Sequence, residues 1–300
     1  MLPLESVPNV SEGRDEDVIA AVGDAFASHA RLLDVHSDGD HNRSVFTLIG
    51  AAGDDDALVS SLVAGIAAAR DTIDLRRHEG VHPRVGAADV VPLVPVRPGD
   101  MTRACDAAID LGRRVGAELG LPVFLYGEVG DGRRPAFYRR GGPEELQRRV
   151  DAGELDPDFG PRVLDPRAGA VLVGARKPLV AFNVVLGTDD IEAARAVAAA
   201  VRESGGGLPG VQALGVRLAS SGRAQVSMNL IDLDRVGLHE VVERVVREAS
   251  DRGIEFESAE LVGLLPAAAA LAAAEGPLRL PALDPSRVLE LNLLGSDLLV

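Results

Sequence analysis

The sequence predicts an α+β protein made of two halves, each with helices packed on one face of a sheet. Three observations predict it. Strand-like and helix-like runs follow the order β-α-β-β-α-β twice along 300 residues, the ferredoxin-like order. Apolar residues alternate within the short runs and recur every three to four residues within the long ones. Hydrophobic residues make up 46% of the chain, enough to fill a core in each half.

Each element has its own signal. "LPLESVPNV" at 2–10 reads as the first strand. "SEGRDEDVIAAVGDAFASHA" at 11–30 reads as an amphipathic helix capped by Ser11. "RLLDVHS" and "RSVFTLIGA" are strands joined by the hairpin-like loop "DGDHN". "DDDALVSSLVAGIAAARDTI" is a second helix, with acids at its positive end. Strand "ADVVPLVPV", helix "DMTRACDAAIDLGRRVGAELG" and strand "PVFLYGE" follow. Residues 128–170 are rich in Gly, Pro and Arg and read mostly as loop, with a short helix near "PEELQRRV". The second half runs strand "PLVAFNVVLG", helix "DIEAARAVAAAVRES", strands "VQALGVRL" and "RAQVSMNLID", helix "LHEVVERVVREASDRG" and strand "EFESAELVGLL". The boundary falls near 177, giving halves of 1–177 and 178–300 with a ligand site expected between them.

Composition excludes several classes. The net charge is −15, which disfavours nucleic acid, whose phosphates call for basic residues. Seven Phe, two Tyr and no Trp leave few rings on which bases would stack. No apolar run is long enough to span a membrane, and the N-terminal residues lack the pattern of a signal peptide. Cys105 is the single cysteine, so no intrachain disulfide forms. A cytoplasmic protein is expected, with a homodimer compatible with such folds. Lys177 is the one lysine among 31 basic residues.

The stretch "HEGVH", His78 to His82, matches the H-E-x-x-H letters of zinc hydrolases. That chemistry needs a helix, so that both imidazoles share a face. Gly80 and Pro83 oppose one, and the segment reads as a loop in front of a buried strand. No metal is expected. The loop's histidines and arginines mark either a site or an exposed polar turn.

Long motifs across the chain resemble the glutamate formiminotransferase family: "VPNVSEGRDEDVI", "LLDV" with "HNRSV", "IDLRRHEGVHPRVGAADVVPLVPV", "LPVFLYGE", "DFGP", "GARKPLVAFNVVLGT" and "AQVSMNLIDLDRVGLHEV". The resemblance implies transfer of a formimino group from N-formimino-L-glutamate to tetrahydrofolate, a co-substrate, in histidine degradation and one-carbon metabolism. It implies a stand-alone transferase rather than one fused to a cyclodeaminase. It places the catalytic histidine at His82 and the folate-contacting segment at Gly160–Gly169. His36, Ala168 and "GVRL" at 215–218 depart from the family's pattern. Formyl transfer between 5-formyltetrahydrofolate and glutamate is an alternative reading, as is a folate- or small-molecule-binding protein without turnover.

A histidine titrating near neutrality suits the reaction, because the attacking nitrogen loses a proton and the leaving nitrogen gains one. Both substrates carry carboxylates, for which arginine is the fitting partner. Arg43, Arg76, Arg77, Arg84, Arg176 and Lys177 are candidates, with a surface ion pair as the plainer alternative for each arginine; Arg84 and Lys177 stand inside the motifs that carry the resemblance. Asn42 reads as a ligand contact or a hairpin cap. Gly160, Pro161, Gly169 and Gly174 bring backbone amides near a ligand or simply form turns. Gln225 and Asn229 share one face of a strand, in a pocket or in solvent.

Overall fold

A computed structural model describes residues 2–274 together with Arg287 and Leu289. The expected last stretch of the second half, 275–300, otherwise lies outside the described residues. The chain divides into two compact units, Met1–Lys177 and Pro178–Val300.

In the first unit the opening strand is broken into β1 (Leu4–Ser6) and β2 (Asn9–Val10). Pro8 has no N–H to give a ladder, and its carbonyl accepts from Phe46 N at 2.9 Å. Then come α1 (Glu16–Phe26), β3 (Arg31–Asp38), β4 (Arg43–Ile49), α2 (Asp55–Thr72) and β5 (Ala88–Pro95). The strands lie in the order β3, β4, β1/β2, β5, all antiparallel, which is the ferredoxin-like arrangement. Asp15 caps α1 by accepting from Val18 N at 3.1 Å, and Asp54 caps α2 by accepting from Ala57 N at 3.0 Å. Each such cap contributes about 1 kcal/mol.

Ser11, expected to cap α1, has another partner. Its hydroxyl donates to Gly86 O at 2.7 Å and its backbone N–H to Ala87 O at 2.8 Å. It ties the first strand to the segment after His82.

The first unit then extends beyond the repeat. α3 (Met101–Arg114) ends in a π turn, Val115–Leu119, and leads to β6 (Val123–Gly127). The short helices α4 (Pro135–Arg139) and α5 (Gly142–Asp151) precede β7 (Val171–Ala175). β7 was not anticipated from the sequence. It lies between β5 and β6 and runs parallel to both. Its five residues, "VLVGA", are all buried, so they show none of the polar alternation by which a half-exposed strand is read. Successive residues here feed two cores. Val123, Val171 and Val173 join the cluster that includes Phe26, Leu62 and Leu111 of α1–α3. Phe124, Tyr126 and Leu172 join Tyr138, Leu146 and Val150 of α4 and α5. The added strands are therefore covered on both faces.

The second unit contains β8 (Val180–Leu186), α6 (Ile191–Val201), β9 (Val211–Arg217), β10 (Ala224–Leu230), α7 (Leu238–Ser250), β11 (Phe256–Val262) and α8 (Ala267–Ala274). Its strand order is β11, β8, β10, β9, antiparallel throughout, again ferredoxin-like. Ala224, Val226, Met228 and Leu230 face the core with Val197 of α6 and Val241 of α7. Gln225, Ser227 and Asn229 point the other way. Among the described residues no helix is long and apolar enough to cross a membrane.

Candidate active site

Residues 78–86 run as irregular chain from a short 3-10 turn (Leu75–Arg77) to the start of β5. The helix that the zinc-hydrolase spacing requires is not formed. Three sets of contacts hold this loop instead.

The first set comes from the β3–β4 turn. His78 Nε2 donates to Asn42 O at 2.8 Å, and Val81 N donates to Asp40 O at 3.2 Å. Asn42 Nδ2 donates to Glu79 O at 2.9 Å, while its Oδ1 accepts from Gly13 N at 2.9 Å. Asn42 is buried and adopts a positive φ of 48°, a conformation asparagine tolerates better than most residues. At Gly80 a Cβ would lie 2.4 Å from His41 O, so only glycine permits this approach.

The second set is internal. The Arg84 guanidinium donates to the carbonyls of His78 at 2.8 Å, Gly80 at 3.2 Å and His82 at 3.1 Å. The third lies where the loop meets β5. Asp89 is 2% exposed, and its Oδ1 accepts from Val85 N at 2.7 Å and Gly86 N at 3.2 Å. Its other oxygen is paired with Arg139 at the end of α4. Such a carboxylate is satisfied on both oxygens, which offsets the cost of burying its charge.

His82 sits at the middle of this frame. Arg43 Nη1 lies 2.7 Å from His82 Nε2. A guanidinium only donates, so Nε2 is the acceptor and the neutral ring carries its proton on Nδ1. The His41 ring centroid is 6.0 Å away. Burial, and then the charges of Arg43, Arg139, His41 and Arg84, hold His82 well below its ordinary value of 6.5. The ring is neutral at physiological pH and able to take up a proton once its lone pair is accessible. Burial also lowers His78, whose bond to a carbonyl fixes it as a donor.

The structure thus brings His82, Arg43, Arg84 and Asn42 together. Gly169, with φ 71°, also borders the loop, since a Cβ there would lie 2.0 Å from Val85 O. Gly174 of β7 makes room for the Tyr126 ring, 2.6 Å from where its Cβ would be. Gly160 packs elsewhere, with φ 81° and its Cβ position 2.1 Å from Leu121 O, and Pro161 follows it on the surface. Lys177 is exposed at the end of the first unit. Gln225 and Asn229 belong to the second unit, the former buried and the latter exposed. His36 lies on β3 opposite Val45, and Ala168 is a core residue whose carbonyl accepts from Ala87 N at 2.8 Å.

Two residues of this frame escaped the sequence reading, Asp89 and Arg139. Asp89 is an acid within an otherwise apolar strand run, and that exception was the available signal. Arg139 stands in "YRRGG" among many arginines, and nothing in the sequence distinguishes it. Among the described residues no group of three or more His, Cys, Asp or Glu is placed to hold a metal ion.

Comparison with known proteins covers most of both units. The pattern described as "Formiminotransferase domain, N-terminal subdomain" matches residues 3–176, and that described as "Formiminotransferase domain" matches residues 181–279. Glutamate formimidoyltransferase of Thermoplasma acidophilum is 40% identical over 296 residues, 96% of each chain. The enzyme of that name from Streptococcus pyogenes is 38% identical over 304 residues, covering 97% of this chain and 99% of its own. Formimidoyltransferase-cyclodeaminase of Sus scrofa is 42% identical over 283 residues, and the match spans 90% of this chain but 51% of that protein. With both subdomain patterns matched and these relatives aligned over nearly its full length, the chain belongs to the formiminotransferase family.

Proposed function

We propose that this protein transfers the formimino group of N-formimino-L-glutamate to N5 of tetrahydrofolate, giving 5-formiminotetrahydrofolate and glutamate. The observation that carries the reading is a neutral histidine, His82, set among arginines in a chain that matches glutamate formimidoyltransferases over nearly its full length. Tetrahydrofolate is a co-substrate, and residues 1–177 and 178–300 serve as the two transferase subdomains.

The reaction is proton bookkeeping around one carbon. N5 attacks the amidine carbon, the C=N pair moves onto nitrogen, and a tetrahedral adduct forms. His82 accepts the N5 proton and later delivers it to the departing amino group of glutamate. The ring returns to its starting state, and one hydrogen has moved from N5 to glutamate. Acid–base help of this kind is worth roughly a hundred- to ten-thousand-fold. Holding the two substrates in register supplies most of the rest.

The frame assigns distinct tasks to the other residues. Arg43 is the guanidinium that meets a substrate carboxylate. Arg84 and Asn42 act through the loop, since their polar groups bind its carbonyls and hold His82 in place. Gln225 and Asn229 offer neutral hydrogen bonds from the second unit. Gly160, Pro161 and Gly174 shape the chain, and Lys177 supplies positive charge toward anionic substrates.

The test is turnover by the purified protein. With formiminoglutamate and tetrahydrofolate together, 5-formiminotetrahydrofolate should accumulate, and omission of either should abolish it. Binding of tetrahydrofolate without product at saturating concentrations of both would replace the transferase by a binding protein. Product formed only from 5-formyltetrahydrofolate and glutamate would replace the formimino group by formyl.

A further inference from the structure

We propose that Tyr126 is a substrate-binding residue: its hydroxyl, with Arg176 and Arg139 beside it, receives a carboxylate of one of the two substrates. The inference deepens the proposed transfer and rests on it for the identity of the ligand.

The chain has two tyrosines, Tyr126 and Tyr138, and both are buried. Their hydroxyls differ. Tyr138 donates to Leu125 O at 2.7 Å. The Tyr126 hydroxyl is shut off from solvent and has no hydrogen-bond partner among the described residues. A buried donor left without an acceptor destabilises a fold, and native structures keep few of them.

The backbone builds the position of this hydroxyl. Tyr126 stands on β6 opposite Gly174 of β7, and Gly174 stands opposite Pro92 of β5. The ring leans across β7 in the space that Gly174 leaves, since a Cβ there would lie 2.6 Å from ring atom Cε1. A side chain at 174 would push the phenol aside. The face is the one that carries Val90, Phe124 and Leu172 under α4 and α5, not the one packed on α1–α3.

The neighbours of the hydroxyl are donors. Burial holds the phenol above its ordinary value of 10, with the charges of Arg176 and then Arg139 opposing it. It keeps its proton at physiological pH and needs an acceptor. A guanidinium only donates, so neither arginine can take that proton. Arg139 adds a second unanswered donor: its Nη2 pairs with Asp89, while its Nε is buried with no partner among the described residues. Asp89, whose charge also reaches the phenol, has its oxygens on Val85 N, Gly86 N and Arg139. Two open donors and two positive charges fit a ligand that only accepts and is negative. A carboxylate is such a ligand, and both substrates of the proposed transfer carry one. The charge of Arg139 reaches His82 as well, which puts the bound carboxylate on the side of the base. It can come from formiminoglutamate or from the glutamate tail of tetrahydrofolate, and the two sources are separable.

The test is Tyr126→Phe in the full-length protein, which removes the hydroxyl and keeps the ring, with Tyr138→Phe beside it as the control. Calorimetry measures binding of L-glutamate, of tetrahydrofolate and of tetrahydropteroate, which lacks the glutamate tail. Steady-state rates give KM and kcat, and urea unfolding gives stability. In Tyr126→Phe stability should hold, because no hydrogen bond is lost in the free protein. Affinity for one carboxylate ligand should fall roughly tenfold or more, the usual effect of losing a hydrogen bond to a charged partner. The loss should fall on KM more than on kcat, since the bond forms before the chemical step. Tyr138→Phe should do the reverse, losing stability while binding like the parent. Weakened L-glutamate with a raised KM for formiminoglutamate assigns the carboxylate to the formimino donor. Weakened tetrahydrofolate with tetrahydropteroate unchanged assigns it to the folate tail. Affinities and KM values like the parent's throughout overturn the proposal. Equal weakening of tetrahydrofolate and tetrahydropteroate also overturns it, by putting the hydroxyl against the ring system. So does a stability loss matching that of Tyr138→Phe, which would reveal an acceptor within the protein. The binding results stand independently of turnover. A parent that makes no 5-formiminotetrahydrofolate removes the transferase reading separately, by the product assay.

Discussion

The two units share a strand order but differ in what they place beside it. In the second, the strand face turned away from the helices carries amides and a hydroxyl: Asn183, Gln225, Ser227 and Asn229, with Asn183 Nδ2 donating to Glu260 at 3.0 Å. In the first, a loop before β5 carries a neutral histidine among arginines. The difference follows from the extension by β6 and β7. The chain between them contributes Arg139, whose pairing with Asp89 helps fix the loop's end, and Gly169, which lets the backbone approach Val85. A repeated topology therefore supplies two scaffolds, and the added segment gives one of them the frame around His82.

The sharpest way to break the comparison is His82→Asn. Turnover should fall by roughly two to four orders of magnitude, while equilibrium binding of tetrahydrofolate stays near that of the parent, because the base acts on a proton in the transition state. Rates and binding measured side by side check it, and comparable turnover would move the chemistry out of the first unit.

Asp89→Asn comes next. It leaves Arg139 facing a neutral group in a buried setting, which costs about 3 kcal/mol or more. Urea unfolding should show that loss, accompanied by a drop in kcat. A stable variant with low kcat would mean that the pair positions the loop without supporting the fold.

Asn42→Ala removes the amide bonds to Glu79 and Gly13 and substitutes a residue less tolerant of positive φ. A loss of about 1–3 kcal/mol is expected, again by urea unfolding. Asn229→Ala should be the mildest change. Its exposed site in the second unit predicts an effect within about 0.5 kcal/mol on stability, and at most a shift in KM with kcat retained. A large fall in kcat would show that the second unit takes part in the chemistry.

Much of the fold was legible in the sequence because its signals are local. The strand alternation of 224–230, the acids opening α2 and the breaks at Pro and Gly each speak within a few residues. β7 was not legible, because a strand buried on both faces resembles any short apolar run. Asp15 rather than Ser11 caps α1, and nothing local to the helix shows this, because Ser11 is drawn off by a partner 75 residues away. For the candidate site, the loop stood out through Pro83 and the surrounding arginines, and His82 was singled out within it mainly by resemblance to the family's motif. Arg139 did not, since its partner lies 50 residues distant in sequence. The inward use of Asn42 and Arg84 depends on where the loop's carbonyls point, which no spacing in the sequence expresses.

The proposed transfer requires His82 to be a base that is already neutral in the free protein, and the pH dependence of kcat/KM tests that most directly. A base must be unprotonated, so the rate should be level near neutrality and fall only as acid protonates His82. Because burial and the facing cations lower His82, that fall should begin well below 6.5. In His82→Asn the residual rate should lack this limb altogether. An acid limb at or above 6.5 in the parent, or one that survives unchanged in His82→Asn, would contradict the assignment.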